Sequence, residues 1–350
     1  MMMVSQQFGT EKQRVLARSE ARAKHRGFAL TVAAICVAYF LVAPYLIADL
    51  GYVTNVMTTM AGVSLISMGV WLTFVIGRIN LAQAGFALIG SYTTGILMSK
   101  LGLSFWLCLP LSGVVAGAFG FIIGWPVLRL KGVYFAMITL SLTEAARLSA
   151  LSFPALTNGP RGIVDLPLPG DLSILGVTLI SAFEVGDRMS FYFLGGVLMV
   201  LGLVLLWLVD TSRVGAVFHS LRQNEDLAAS LGINVAKYRV VAFVIACFYG
   251  GVGGAFFTAL QRNVYPQSFQ VIDSVYFMIY CFVGGLEFVI GPLIGTIALS
   301  ATFEFLGEFQ RYQTVLFSGI MILGILFMPN GIMSVVQRLL SGFRQARGGK

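Results

Sequence analysis

Ionisable side chains are rare inside the long apolar stretches of this sequence, and two of them stand at a spacing that allows them to pair. Glu144 and Arg147 are three residues apart, so on a helix they share a face and can form an ion pair. Charges within so apolar a segment are costly and usually face protein or water. The pair is therefore predicted either to border a polar path through the protein or to lock two helices together as a structural pair.

Two amide side chains repeat this spacing nearer the N-terminus. Asn80 and Gln83 lie three residues apart at the start of an apolar stretch. They could line a gate, and they could equally form hydrogen bonds between helices without any further role. With Glu144 and Arg147 they make up the candidate polar path.

Enzyme chemistry and metal binding find little support in the sequence. The only histidines, His25 and His219, lie in basic segments, and no acid, base and nucleophile converge on one motif. The cysteines stand in apolar stretches without metal-ligand spacing, which is typical of packing residues: Cys36, Cys108, Cys247 and Cys281. We therefore expect no catalytic residue, no metal site and no cofactor bound by this chain.

Four glycines between positions 250 and 254 do not form a phosphate-binding loop. No strand pattern precedes them, and no Lys-Ser or Lys-Thr pair follows them. Their position inside an apolar run favours close packing between helices instead. Any ATP hydrolysis linked to this protein must then come from a partner.

The composition indicates a membrane protein. Charged residues make up 11% of the chain and hydrophobic residues 57%, with a mean hydropathy of +0.87, whereas soluble domains carry about 25% charged residues. The net charge of +8 comes from Lys and Arg at the two ends and in short loops, as the positive-inside rule predicts. Because basic stripes interleaved with aromatic residues are lacking, we expect membrane lipid and not nucleic acid as a partner.

Stretches of about 20 mostly apolar residues predict an all-α bundle with about ten membrane spans. The regions 79–98 and 272–309 are rich in Gly and polar residues, so they are candidates for broken or re-entrant segments. The ten candidate spans are 28–48, 54–76, 79–98, 103–125, 133–152, 190–209, 239–260, 272–289, 292–309 and 314–333.

The distribution of Lys and Arg predicts that both termini are cytoplasmic, which requires an even number of crossings. Residues 1–26 form a basic arm and residues 336–350 a basic tail, on either side of a transmembrane domain at 27–335. The loop 153–189 then lies outside, with a short helix or hairpin of its own, and the loop 210–238 lies inside. We expect a multi-pass protein of the bacterial inner membrane.

The internal loop is predicted to carry a short amphipathic helix. Asn224 can cap this helix, and Glu225 and Asp226 then occupy its first turn, where acids are favourable. Gly232 is suited to end it. Apolar residues recur near helical spacing at Val217, Leu221, Leu227 and Leu231. Such a helix can dock on a protein or lie on the bilayer surface, and spacing alone does not choose between the two.

The internal loop also resembles the cytoplasmic coupling loop of permeases driven by ATP-binding-cassette subunits, in the run Arg222-Gln-Asn-Glu-Asp-Leu-Ala-Ala-Ser-Leu-Gly-Ile-Asn234 followed by Lys237-Tyr238. This version is similar to the branched-chain amino acid permease family of the LivM type. In that family the loop docks on the ATP-binding subunit and transmits its movement to the spans. The coupling residues that the resemblance implies are Leu221, Arg222, Glu225, Asp226, Leu227, Ala228, Ala229 and Gly232.

Further segments carry the same resemblance in chain order: Gly77–Tyr92, Gly124–Leu140, Leu156–Ile163, Gly284–Gly295 and Phe327–Ile332. The fourth of them resembles a hinge, which implies Gly285, Gly291 and Pro292 as hinge residues. The third implies a docking loop for a binding protein at Asn158, Gly159, Pro160 and Arg161.

One segment departs from the family pattern. Many relatives carry a Ser-Leu-Gly-His type of sequence where this chain has Asn80-Leu-Ala-Gln83. Related permeases handle urea or short amides, so this departure leaves the substrate open.

The resemblance implies a permease that imports branched-chain amino acids. Its implied partners are two ATP-binding subunits, which hold the ATP and magnesium, a second homologous permease subunit and a periplasmic substrate-binding protein. The alternative is a secondary transporter or channel that needs no ATPase, since broken helices suit such proteins as well.

Overall fold

The computed structural model describes residues 27, 31–47, 51–174, 177–180, 182–184, 187–328 and 330–335. The predicted basic arm, 1–26, and basic tail, 336–350, lie outside the described residues. The chain divides into two units, 1–54 and 55–350, and each is described by itself.

The first unit contains the first predicted span, 28–48. Its helical residues from Thr31 pass through a π-helical stretch, Val37–Val42, into helix α1, Ala43–Ile47. Helix α2, Gly51–Val75, begins in this unit and continues into the second.

Where the structure describes it, the second unit consists of helices and their connections with one short hairpin. Its helices are α3 (Gln83–Leu101), α4 (Phe105–Val127), α5 (Val133–Ser152), α6 (Pro154–Thr157), α7 (Arg188–Thr211), α8 (Arg213–Gln223), α9 (Glu225–Ser230), α10 (Val235–Gln261), α11 (Val271–Gly284), α12 (Gly291–Phe305) and α13 (Gln313–Phe327). Short 3-10 helices occupy Gly159–Arg161 and Leu306–Tyr312, and the antiparallel strands are β1 (Leu172–Ile174) and β2 (Val177–Ile180).

Among the described residues, four helices are long and apolar enough to cross a membrane by themselves: α2, α4, α7 and α10. Helices α3 and α5 have 19 and 20 residues, whereas α11, α12 and α13 have 14, 15 and 15, fewer than the roughly 20 that a straight span needs. The helices nevertheless lie where the spans were predicted. The prediction of a multi-pass helical protein is confirmed, and the number of ten crossings with cytoplasmic ends stays a prediction.

Helices α2 and α10 lie at the centre of the packing. Their most apolar windows are 83% and 72% buried, against 39% for both α4 and α7, which leaves α4 and α7 with broad apolar outer faces. The glycines of α10 allow this helix to pack closely against α3 and α4. A Cβ placed on Gly251 would lie 2.6 Å from the Cβ of Ala116 in α4, and one on Gly254 would collide with the carbonyl of Ala87 in α3. The predicted packing role of these glycines is confirmed.

Helix α3 begins later than the predicted span at 79–98. Gly77 takes a positive φ of 73° just after α2 ends, and the chain stays non-helical through Ala82. Asn80 therefore lies in the connection before α3, while Gln83 opens the helix. The span predicted from residue 79 thus begins only at Gln83, because a glycine turn separates the two helices.

The loop 153–189, which the sequence predicts to lie outside, is ordered where the structure describes it. After α6 and the 3-10 helix, Ile163 pairs with Val264, and the hairpin follows. The amide of Leu166 donates to the carbonyl of Arg262, and Arg262 Nε donates back to the carbonyl of Leu166 at 3.1 Å. The loop is therefore tied to the connection between α10 and α11, and its predicted short helix or hairpin is confirmed.

The predicted break in the region 272–309 lies between α11 and α12. Gly285 has a φ of 115°, and Pro292 stands in the first turn of α12. The indole of Trp71 in α2 donates to the carbonyl of Leu286 at 3.0 Å. Gly331, in the segment after α13, approaches the backbone of Gly285 so closely that a Cβ would not fit. The three predicted hinge positions thus flank a tight turn that is fixed from two sides.

Candidate functional site

The loop between α7 and α10 folds into two short helices. Ser212 caps α8 by accepting from the amides of Val214 and Gly215, at 3.2 and 3.3 Å. Asn224 has an extended backbone, breaks the chain between α8 and α9, and accepts from the amide of Leu227 at 3.0 Å. Gly232, with a φ of 83°, ends the second helix. The predicted cap and stop of the helix are confirmed.

The apolar residues of this loop do not share one face, contrary to the prediction. Leu221 is 4% exposed, whereas Leu227 and Leu231 are 58% and 75% exposed. The extended residue Asn224 between the two helices turns α9 away from the direction of α8, which separates the two sets. Leu221 therefore anchors α8 inward, and Leu227 with Leu231 forms an exposed apolar pair, which we call the outer leucine pair.

The other residues of the predicted coupling set divide in the same way. Ala228 is 2% exposed and faces inward. The rest are exposed, namely Arg222, Asp226, Ala229 and Gly232. Helix α9 thus has one inner and one outer side, although it is only six residues long.

Glu225, at the start of α9, is held by cations from three other segments. Its Oε2 forms a close ion pair with Arg239 in the first turns of α10. Lys131 Nζ, between α4 and α5, lies 3.5 Å away, and Arg78 Nη2, between α2 and α3, lies 3.8 Å away. The side chains of Arg78 and Arg239 are 6% and 8% exposed, and that of Glu225 is 25% exposed. We call these four residues the Glu225 cluster.

The electrostatics of the Glu225 cluster favour a charged carboxylate. Burial raises the pKa of Glu225, but the hydrogen bond from Arg239 and the charges of Arg239, Lys131 and Arg78 outweigh it and hold the pKa below the usual value. Burial, and after it the charge of Arg239, lowers the pKa of Arg78, while Glu225 opposes this shift. Two buried guanidinium groups thus share one carboxylate, and α9 is linked to the α2–α3 connection, to the α4–α5 connection and to the start of α10.

Arg78, Lys131 and Arg239 were missed by the sequence prediction as site residues. The sequence patterns assigned no site role to Lys131 and Arg239, and Arg78 lay inside the Gly77–Tyr92 segment without a role. Their positions, 78, 131 and 239, have no spacing in common. The only available signal was that each lies at the end of a predicted span, next to the same face of the bilayer as the loop.

Asn80 and Gln83 are buried and hydrogen-bonded. Asn80 Nδ2 donates to Gln83 Oε1 at 3.2 Å, and Asn80 Oδ1 accepts from the amide of Ala82 at 2.9 Å. Gln83 Nε2 donates to the carbonyl of Ala246 in α10 at 2.8 Å and to that of Ile66 in α2 at 3.2 Å. These bonds join α3 to two central helices, which favours the hydrogen-bonding interpretation of the two amides over a gate.

Glu144 and Arg147 form the pair that their spacing predicts. Arg147 Nε donates to Glu144 Oε2 at 2.9 Å, and the side chains are 25% and 40% exposed, respectively. They stand on the outer surface of α5 beside exposed apolar residues such as Met137 and Leu148. Because both partners belong to α5, this pair does not lock α5 to a second helix.

The predicted docking loop is a rigid turn with three exposed residues. Asn158 takes a left-handed conformation with a φ of 60°, and Thr157 fixes the turn by donating to the carbonyl of Ala150 at 2.6 Å. Asn158, Pro160 and Arg161 are exposed, while Gly159 is buried. The structure thus presents a polar tip at this end of α5.

In the part of the chain that the structure describes, no group of three His, Cys, Asp or Glu residues could hold a metal ion. His219 is engaged with Asp210, whose Oδ1 lies 2.7 Å from its Nε2. The four cysteines are free thiols.

Comparison with known proteins finds a matching family model and several similar chains. Residues 52–326 match the family model described as the branched-chain amino acid transport system / permease component. The chain is 30% identical to the high-affinity branched-chain amino acid transport system permease protein LivM of Salmonella typhimurium, over 81% of this chain and 71% of the relative. It is 30% identical to LivM of Escherichia coli, over 78% of this chain and 68% of the relative.

More distant relatives include the probable branched-chain amino acid transport permease protein LivH of Methanocaldococcus jannaschii, which is 26% identical over 79% of this chain and 91% of the relative. No solved structure matches the chain significantly. The family model covers the helices from α2 to α13 and includes the Glu225 cluster within its limits. The chain therefore belongs to the branched-chain amino acid transport permease family.

Proposed function

We propose that this chain is the membrane-spanning permease subunit of an ATP-binding-cassette importer in the bacterial inner membrane, and that it carries branched-chain amino acids inward. The observation that supports this most is the construction of α9. One side of α9 is fixed through Glu225 to two connections of the bundle and to the start of α10, and the other side presents the outer leucine pair. A force applied to the exposed side would be passed to the ends of α2, α3, α4, α5 and α10.

The outer leucine pair is the docking contact for an ATP-binding subunit. Large apolar side chains in a polar loop gain free energy when a partner covers them, at about 25 cal/mol per Å² of apolar area. The bilayer surface would cover them too, but Asp226 is exposed on the same short helix, and acidic side chains are repelled by the negative charge of the cytoplasmic leaflet. A protein partner therefore fits α9 better than a lipid surface.

The remaining proposed partners contact other surfaces of the chain. A second permease subunit covers the outer face of α5, because the pair Glu144–Arg147 is partly exposed at membrane depth and charges there face protein or water. A periplasmic binding protein contacts the turn at Asn158, Pro160 and Arg161. ATP and magnesium belong to the two ATP-binding subunits.

The substrate class rests on the relatives, whose names specify branched-chain amino acids. Urea and short amides remain the competing substrates, since Asn80 and Gln83 stand at the segment where the family pattern differs. Competition for uptake distinguishes branched-chain amino acids from urea and short amides as the substrate. Uptake of labelled leucine by the reconstituted complex should be inhibited by isoleucine and valine and not by urea or acetamide.

The decisive test compares two variants of α9 in proteoliposomes that hold the complete complex. Replacing the outer leucine pair, Leu227→Ser with Leu231→Ser, should abolish ATP-dependent uptake and co-purification of the ATP-binding subunits. Ser230→Ala, an exposed change on the same helix, should alter neither. Uptake that persists without ATP, or without any co-purified ATP-binding subunit, would instead identify a secondary transporter or channel.

A further inference from the structure

A pocket of about 280 Å³ lies beside the Glu225 cluster, between the end of α4 and the start of α10. Arg129 and Trp125 line it from the α4 side, and Arg239 and Val240 line it from α10. Glu225 lies at its border. Because a water molecule takes about 30 Å³ of liquid volume, this space holds several waters or a small polar group.

Positive charge is in excess around this pocket. Arg129 and Arg239 line it together with Glu225, and Arg78 and Lys131 face the same Glu225 carboxylate. The buried cations alone, Arg78 and Arg239, outnumber the single carboxylate of Glu225 by one, and the exposed Arg129 and Lys131 add further positive charge. Burying an unbalanced guanidinium is costly, so a further anion would stabilise this arrangement.

Hydrogen-bonding capacity is also left over. Arg239 is 7% exposed, and its Nε has no hydrogen-bond partner among the described residues. The same holds for Nε and Nη2 of Arg78, which is 6% exposed. A buried donor without an acceptor is destabilising, and more so when it is charged. The pocket thus combines a charge surplus with an unused buried donor on one of its own walls.

We infer that this pocket binds a phosphate group, supplied by the headgroup of an acidic phospholipid. Guanidinium groups donate to phosphate oxygens in a fixed fork, which suits Arg239 and Arg129. Trp125 is 53% exposed at the rim, where an indole is favourable at the junction of lipid and water. Leu128, Val235 and Val240 supply apolar wall for the part of the lipid next to the phosphate. Basic pockets between helices at this level of a membrane bind such headgroups.

The test measures retained lipid on the complete complex in nanodiscs made of phosphatidylcholine and phosphatidylglycerol. Arg129 is exposed and lies outside the Glu225 ion pairs, so Arg129→Ala should fold. Native mass spectrometry should show that Arg129→Ala lowers phosphatidylglycerol retention about five-fold, the factor expected for one basic contact. Arg129→Lys should restore most of it. The matched control is Arg213→Ala, an exposed arginine of α8 that does not line the pocket, which should leave retention unchanged.

A second measurement follows Trp125 directly. Phosphatidylglycerol with brominated acyl chains should quench tryptophan fluorescence more strongly than brominated phosphatidylcholine, and Trp125→Phe should remove the difference.

If inorganic phosphate displaces the lipid and binds equally well in its absence, the phosphate site stands and its source is the free ion. Equal phosphatidylglycerol retention by Arg129→Ala and Arg213→Ala would overturn the inference. It would also fall if Arg129→Ala released the ATP-binding subunits while lipid retention stayed the same, because an acidic protein surface would then be the occupant.

Discussion

Glu144 and Glu225 are ion-paired acids of opposite construction. Glu144 pairs with Arg147 within one turn of α5, on a partly exposed helix surface. Glu225 gathers Arg78, Lys131 and Arg239 from three separate segments, and two of these cations are almost fully buried. The first pair is local and can exist in an isolated helix, whereas the second exists only when α2, α4, α9 and α10 are assembled.

This difference implies different structural roles for Glu144 and Glu225. A local pair on an outer surface keeps its geometry when the bundle moves. It can therefore affect the protein only through whatever covers that surface. A carboxylate shared by two connections and the start of α10 holds α9 to the bundle and is disturbed by any movement between these segments. Glu225 therefore anchors α9 to the bundle, and the outer leucine pair is the contact proposed for a partner.

The largest effect is expected from Glu225→Gln. The neutral amide would leave two buried guanidinium groups without a counter-charge, and breaking a buried pair costs about 3–5 kcal/mol. Because Glu225 is a quarter exposed, we expect a loss of roughly 2–3 kcal/mol in the free energy of unfolding. ATP-dependent uptake should be lost even where the variant still reaches the membrane. Thermal unfolding in detergent and uptake in proteoliposomes measure the two effects.

Two neighbours serve as controls for this variant. Asp226→Asn removes the exposed acid next to Glu225 and should leave the free energy of unfolding unchanged. Lys131→Ala removes the cation of the Glu225 cluster that is 63% exposed, and should cost less than about 1 kcal/mol. A Glu225→Gln protein as stable as Asp226→Asn would show that the cluster does not anchor α9.

An effect of intermediate size on the stability of the folded chain is expected when the pH is lowered. The pKa of Glu225 is lower in the folded protein than its unfolded value of about 4.3. Its contribution to stability is therefore complete above about pH 4.3 and is lost as the pH falls through the lower, folded pKa. Unfolding midpoints of the wild type and of Glu225→Gln should converge in that acidic window and stay apart at neutral pH. A constant difference between them down to the lowest pH would mean that the Glu225 pKa is not depressed.

The smallest effect on the chain itself is expected from Glu144→Gln. Since this pair lies within one helix on an outer surface, the unfolding midpoint of the isolated chain should hardly change. Assembly with the second permease subunit should weaken, because the covered face of α5 would keep an unpaired Arg147. Size-exclusion chromatography of the co-expressed subunits measures this, and Ser141→Ala on the same exposed side of α5 is the control. Unchanged assembly would assign the pair to a water-filled path instead.

Local patterns in the sequence predicted local structure well. The cap at Asn224, the stop at Gly232 and the packing glycines of α10 each depend on neighbours in the chain or on residue size alone, and all three are confirmed. The single apolar face expected for the loop helix, with Leu221 and Leu227 on it, was wrong. The non-helical residue Asn224 interrupts the helix between them, and helical spacing has no meaning across such a break.

The sequence by itself determined that this is a multi-pass helical membrane protein, because apolar length and charge are properties of each segment. It also determined the family, since the signatures recur in order along the chain. Only the tertiary structure decided which charges meet at Glu225, which leucines of the loop stay exposed and which arginine donors are left without an acceptor. Those facts depend on how the ends of distant helices come together, and positions 78, 131, 225 and 239 carry no periodic relation that a sequence pattern could reveal.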